Sequence, residues 1–320
     1  MNPGVSNTTQ QANPPGPKVS IGMPVYNGES RVRHALDSLL AQSFADFELI
    51  ISDNASTDKT AAICGEYAGN DRRIQFHRQA VNKGSSHNFD FVLQQARGEY
   101  FMWAAHDDAW DTFFLEKILR EFTESDSSVV AVACEAQYTI NSQKQPFFPE
   151  GGYFYDRRME SPAVRMKYML KYNYGNLFYS IYRRNSLFID QKTKLSALSP
   201  VSLNEIAFFL LVAAAGNWRV IPDVMFYKET NPATYEQARW EIRGGILPRR
   251  SALHCARHLA YSMKYHMLAA IDISKAVNLA ELRADENLRL QVFAIFTLLA
   301  HCVALILGFK PARRQQSSAV

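Results

Sequence analysis

From Val19 onward two kinds of apolar block alternate along the chain. VSIGMPVYN, FELIISD, IQFHR and EYFMWAA are short, nearly continuous apolar runs and read as buried strands. Between them the apolar residues recur at helical spacing: Val32, Ala35, Leu36, Leu39 and Leu40 in ESRVRHALDSLLAQ, and Phe89, Val92 and Leu93 in SSHNFDFVLQQAR. NASTDKTAAICGEYA reads as a turn and helix, and TFFLEKILREFTES as a helix carrying Phe113, Phe114, Ile118 and Leu119. VVAVACEAQYTI follows as a further buried strand. Strands alternating with helices of this length predict an α/β fold with a mostly parallel sheet, helices on its faces and right-handed crossovers.

The alternation then loosens. An irregular loop is expected over 141–160, a helix over 161–172, a strand at LFYSIYRR, a buried helix at NEIAFFLLVAAAG ending on Gly216, and a strand at WRVIPDVMFYKE interrupted by Pro222. Three regions follow: a Pro-, Gly- and Asn-rich flexible tail over 1–17, an α/β body over 18–230, and a basic, then apolar, helical extension over 231–320.

Polar clusters stand where the predicted strands end: Asn27 and Glu29 after the first, Asp53 and Asn54 after the second, Asp107 and Asp108 after the fourth. One such cluster alone reads as turn formers and helix caps. Three on one edge mark a site, because ligands of parallel sheets bind beyond the carboxyl ends of the strands. Adjacent carboxylates need water, a cation or donor groups to compensate them. They form a hard oxygen platform suited to Mg²⁺ or Mn²⁺, which commonly bridges to a substrate diphosphate. Asp53 could accept hydrogen bonds from a base N–H or from ribose hydroxyls. No glycine-rich dinucleotide fingerprint and no P-loop motif occurs in the sequence, which removes the physical basis for nicotinamide and P-loop chemistry.

Composition narrows the picture further. An apolar share of 47% and a charged share of 21% exclude a wholly disordered chain and a multi-span membrane protein. Cys64, Cys134, Cys255 and Cys302 lack the spacing of a zinc site or a disulfide framework, and the first residues lack an apolar signal core, so a reducing cytoplasm is expected. The net charge of +4 is uneven, with Arg239, Arg243, Arg249, Arg250, Arg257 and Lys264 crowding one stretch, which points to an anionic surface or substrate. Val292 to Phe309 is an apolar run broken by Thr297 and His301 and closed by Lys310, Arg313 and Arg314. At about 18 residues it has the lower length of a spanning helix, and an interfacial or core-packing helix shares the pattern. A single crossing would put that basic tail outside, against the positive-inside bias, so peripheral attachment to the inner membrane face is expected. No nucleic-acid partner is expected.

SIGMPVYNGE, IISDNASTDKT, NKGSSHNFDFVLQQARGEYFMWAAHDD and NEIAFFLLVAAAG, in that order, resemble family 2 glycosyltransferases of the A-type, nucleotide-sugar-binding fold, over roughly residues 18–230. The resemblance implies that Pro24, Tyr26 and Asn27 line the nucleotide pocket and Asp53 reads the nucleobase. It implies too that Gly84 and Asn88 shape the wall, Asp107 approaches the ribose and Asp108 holds the divalent cation. Two departures stand out: His106 occupies a position where the family often has Asp, and the later acidic pair reads Asn204-Glu205. By resemblance Glu205 is the base that takes the acceptor's proton in an inverting transfer; otherwise it is a helix-start acid complementing the dipole. EQARW nearly matches the Gln-x-x-Arg-Trp element of processive synthases but begins with Glu236, so Arg239 is at most a diphosphate contact and single-sugar transfer is favoured.

The expected activity is transfer of one sugar from a nucleotide-diphosphate donor, UDP-linked by resemblance, to a surface-glycan or lipid-linked acceptor. A sugar nucleotidyltransferase and a non-catalytic nucleotide-sugar-binding module are the competing classes. The first of these ordinarily carries a glycine-rich, arginine-containing loop after the first strand, where MPVYNGE stands here.

Overall fold

The computed structural model describes residues 16–145, 161–171, 175–189, 192–193 and 205–232, with residues 278 and 287. In chain order the elements are β1 (Val19–Val25), α1 (Val32–Leu40), β2 (Phe47–Asp53), α2 (Thr60–Asn70), β3 (Ile74–Arg78), α3 (Ser85–Gln95), β4 (Tyr100–Trp103) and β5 (Ala109–Trp110). There follow α4 (Phe114–Glu124), β6 (Val129–Ile140), β7 (Gln143–Lys144), α5 (Pro162–Lys171), β8 (Ile181–Arg183), β9 (Phe188–Ile189), β10 (Lys192–Thr193), α6 (Glu205–Ala215) and β11 (Asn217–Glu229). The main sheet runs β3-β2-β1-β4-β8-β6-β11-β5, with β7 folded back on β6, and β9 pairs with β10 separately.

The strands β3, β2, β1 and β4 are parallel, as are β6 and β11, whereas β8 is antiparallel to both β4 and β6 and β5 is antiparallel to β11. The sheet is therefore mixed around a largely parallel frame. One face buries Val32, Leu36, Leu39, Ile63, Leu115 and Ile118 from α1, α2 and α4. The other buries α3, α5 and α6 around Trp103, which stacks on Phe178 at 4.8 Å and meets Phe101, Tyr182 and Phe208 edge-on. α6 is apolar all round because it lies in this core. Arg165 of α5 donates to the Ala213 and Ala214 carbonyls at its end, satisfying acceptors a helix terminus leaves open.

Three local expectations change. In LFYSIYRR only Ile181–Arg183 is strand, while Gly175–Tyr179 forms a 3₁₀ turn. Leu177 and Phe178 face the core there, and the Ser180 and Tyr182 hydroxyls both donate to the Leu177 carbonyl. Pro222 does not end β11: the register slips between Ile221 and Val224, and Pro222 and Asp223 point outward, so the missing N–H costs no ladder bond. Within the expected irregular loop, Gln143–Lys144 pairs with the end of β6 across Asn141 and Ser142, whose φ values of 49° and 63° suit a two-residue hairpin turn. Most of the tail over 1–17 and of the extension over 231–320 lies outside the described residues. Arg239 and the apolar run at 292–309 are among these.

At the amino-terminal ends of the strands, Glu48 of β2 is buried yet fully engaged. Its carboxylate accepts from Ser20 Oγ (2.6 Å), Gln75 Nε2 (2.6 Å), the Arg97 backbone N–H (2.9 Å) and Arg97 Nη2 (2.6 Å). This knot fastens the turn between α3 and β4 to the starts of β1 and β2.

Candidate functional site

The carboxyl ends of β1 and β2 lie side by side, with Pro24 opposite Ser52 and Val25 opposite Asp53. The loops that leave them are laced together. Asn27, at φ 51°, donates its N–H to Ser56 Oγ and accepts from the Thr57 N–H at 2.9 Å each. The Gly28 N–H donates to Thr60 Oγ1 at 2.8 Å, and Glu29 exchanges bonds with Asp58 and Lys59. These contacts hold Tyr26 outward, 44% exposed at the edge of the sheet. An aromatic face presented to solvent beside a polar cleft is a ready stacking surface for a planar ring.

Asp53 ends β2 beside these loops. It is fully buried, its Oδ1 accepts from the Ser56 N–H at 3.1 Å, and its Oδ2 has no hydrogen-bond partner. Arg78 Nε stands 3.5 Å from that oxygen on a side chain that is 59% exposed. Buried carboxylate oxygens are ordinarily hydrogen-bonded, so Oδ2 is an acceptor held ready. The wall is built by Asn54, whose amide binds the Asn82 side chain and the Gly84 carbonyl and whose oxygen accepts from the Lys83 N–H. Gly84 sits at φ 87°, a conformation open to glycine alone at no cost, and so turns the chain into α3. Asn88, one turn into α3, is buried; it donates to the Ser52 carbonyl at 2.8 Å and accepts from Ser52 Oγ at 2.6 Å. It thereby fastens α3 to the end of β2.

The acid pair lies on the loop between β4 and β5. Asp107 is half-buried, whereas Asp108 is 2% exposed and accepts the Glu229 N–H on Oδ1 at 2.9 Å. Burial, reinforced by the Asp107 charge, pushes the Asp108 carboxyl up to about 7, against the opposing pull of Lys228 and the Glu229 N–H. A carboxyl so placed is short of positive charge, which a divalent cation held by Asp108 would supply. The donor set therefore fits Mg²⁺ or Mn²⁺. Among the described residues no group of three or more His, Cys, Asp or Glu side chains gathers to hold a metal, so a cation here would complete its shell from ligand oxygens and water.

His106 packs sideways on the turn after β1: a Cβ added at Gly28 would lie 2.5 Å from its Cδ2. The acid loop and the loop after β1 thus touch. Glu205 is the first residue of α6, and its neighbour Asn204 lies outside the described residues. Sequence reasoning missed Arg31, Arg78 and Glu229. Each belongs to no motif and meets its partner only after folding, so local spacing carries no signal for them. Among the described residues no helix is long and apolar enough to cross a membrane.

The family model described as Glycosyl transferase family 2 matches residues 20–185. An uncharacterized glycosyltransferase of Rickettsia typhi is 35% identical over 128 residues, covering 40% of this chain and 38% of the relative. The putative glycosyltransferase EpsE of Bacillus subtilis is 37% identical over 107 residues, 33% of this chain and 37% of EpsE. The chain therefore spans well under half the length of these relatives. Among solved structures, S. aureus TarS 1–349 in complex with UDP-GlcNAc superimposes with a TM-score of 0.61 at 17% identity, over 92% of this chain and 76% of TarS 1–349. That likeness is one of fold.

Proposed function

Because the chain belongs to glycosyl transferase family 2, we propose that it transfers a single sugar from a nucleotide-diphosphate sugar, UDP-linked, to a surface-glycan or lipid-linked acceptor. The observation that carries this reading is Asp53 Oδ2, a buried acceptor without a hydrogen-bond partner at the carboxyl end of β2, beside the loop that carries the exposed Tyr26 and Asn27. Such an atom suits the N–H of a pyrimidine base stacked on Tyr26 against Pro24. The uridine choice follows the family resemblance, and the fold neighbour TarS was crystallised with UDP-GlcNAc.

In this reading Asp107, the more open of the acid pair, approaches the ribose, and Asp108 holds Mg²⁺ or Mn²⁺. When bound, the cation neutralises charge that develops on the leaving diphosphate. Glu205 takes the proton of the acceptor hydroxyl as that oxygen attacks the anomeric carbon from the face opposite the leaving group, which inverts the configuration. Arg239 is proposed as a further diphosphate contact. The arginines from 239 to 257 and the apolar run at 292–309 support a working position at the inner face of a membrane, where a lipid-linked acceptor would be met.

Asp53→Ala is expected to weaken UDP binding by about 10- to 100-fold, the scale of a lost hydrogen bond to a charged group. Titration calorimetry checks this, and unchanged affinity would overturn the assignment. Glu205→Gln is expected to lower kcat by about 10²-fold or more with donor affinity retained. If donor binding is lost along with turnover, Glu205 has a structural role instead.

A further inference from the structure

Glu229 ends β11 and belongs to no motif, yet three loops at the cleft converge on it. Its carboxylate accepts from the Asn141 N–H (2.5 Å), the Ser142 N–H (3.0 Å) and Thr139 Oγ1 (2.8 Å), and it lies 2.7 Å from Arg31 Nη1. Its own N–H is the one that Asp108 accepts. The side chain is only 6% exposed. Burial alone would push its carboxyl up, but Thr139, Arg31 and the Ser142 and Asn141 amides hold it below the usual range, so it is ionised at neutral pH.

Asn141 and Ser142, both at positive φ, form the hairpin turn and present successive N–H groups to the two oxygens of one anion. Here that anion is the chain's own Glu229. Arg31 reaches the same carboxylate from the loop between β1 and α1, the loop whose Gly28 packs against His106. A carboxylate gripped from these directions fixes the end of β11, and the N–H at that end sets where the Asp108 oxygen can lie.

We propose that Glu229 is a positioning residue of the donor site: its side chain clamps the β6–β7 hairpin and Arg31 to the end of β11 and thereby holds the Asp108 carboxylate in place. A residue that merely stapled the hairpin would leave the acid loop untouched. The consequence for cation binding rests on the function proposed above; the mechanical coupling does not.

The test uses the full chain as wild type, Glu229→Ala and Glu229→Gln. In ligand-free Glu229→Ala, amide hydrogen exchange should quicken in residues 104–110 as well as in residues 139–145. Calorimetry with UDP present should show Mn²⁺ affinity reduced on the order of tenfold, the lower scale for removing an outer-shell partner. Uridine affinity should be unchanged, because Asp53 makes no contact with Glu229. Glu229→Gln retains shape and one acceptor and should fall between the two. It decides the matter on the same readouts if the alanine variant does not fold. Faster exchange confined to 139–145, with wild-type Mn²⁺ affinity, would overturn the proposal. Should the wild-type chain bind neither UDP nor Mn²⁺, the donor reading is lost, and exchange at 104–110 alone still decides the role of Glu229.

Discussion

Asp108→Asn is expected to abolish turnover and, at the same time, to stabilise the cation-free protein at alkaline pH. The loss of activity follows from the proposed role: a neutral amide replaces the charged oxygen ligand, and a drop of about 10²-fold or more corresponds to removing one electrostatic contributor to the transition state. The gain in stability follows from burial. The carboxyl titrates near pH 7 in the folded chain against an ordinary value of 3.8, so the folded state binds its proton more tightly than the unfolded state does. Ionisation penalises folding progressively as pH rises from about 4 through 7, and the penalty is complete above that range. About three pKa units at 1.36 kcal/mol each make it on the order of 4 kcal/mol.

Asparagine escapes this penalty while still offering an oxygen to the Glu229 N–H. The variant should therefore melt above the wild type at pH 8, with the gap closing toward pH 4. Mn²⁺ added to the UDP-bound proteins should narrow the gap at pH 8, because the cation stabilises the wild type more than the variant. A donor-turnover assay checks the loss of activity, and thermal scans across that pH range check the gain in stability. Retained activity, or a variant no more stable than the wild type at pH 8, would count against the placement of Asp108.

Glu48→Ala should act in the opposite way, costing about 2–4 kcal/mol of stability while leaving nucleotide affinity intact. The mutation strips the Ser20 hydroxyl of its acceptor inside the protein, and a group left unsatisfied there costs about 1–3 kcal/mol; it also removes the charge-assisted bond from the Arg97 backbone N–H, which keeps Ser20 Oγ as its partner at 3.1 Å. Burial raises the pKa of this carboxyl, but Ser20 and Arg97 together outweigh burial and hold it below its ordinary 4.5. Its ionised form thus contributes stability that is present above pH 4.5 and is lost as pH falls through the lower folded value. Urea midpoints should differ most between wild type and variant near neutral pH and converge in acid. Glu48 lies at the amino-terminal edge of the sheet, away from Asp53 and Asp108, so the folded variant should bind UDP as the wild type does. An unchanged midpoint would show that the knot is dispensable.

Much of the fold was legible along the chain because burial on a parallel sheet leaves a local mark. VVAVACEAQYTI is the span of β6, and FELIISD that of β2. The helical spacing of Val32, Leu36 and Leu39 marks the face of α1 that is buried. The three polar clusters stand at strand ends by virtue of element order alone, and the family match agrees with the resemblance they carry. Less legible was any position whose environment depends on a distant segment. Ile181–Arg183 slots antiparallel between β4 and β6, a choice made by ladder pairing with strands remote in sequence. The outward turn of Pro222 and Asp223 depends on the register against β6.

The same division runs through the site. Local chemistry determined which residues are available: carboxylates at 53, 107 and 108, asparagines at 27 and 88, a flexible turn at Gly84. Only the tertiary structure decided how they differ in use. Asp107 and Asp108 are chemically identical neighbours, yet one is half-open and the other is buried against the end of β11. Asn88 spends its amide on the end of β2, and Asp53 keeps one oxygen without a hydrogen bond. The knot at Glu229 joins Arg31, Asn141 and Asp108, segments far apart along the chain. Periodicity reports which face of an element is buried, because that depends on its nearest neighbours in sequence. Desolvation, counter-charge and spare hydrogen-bonding capacity depend on what the folded chain brings within a few ångströms.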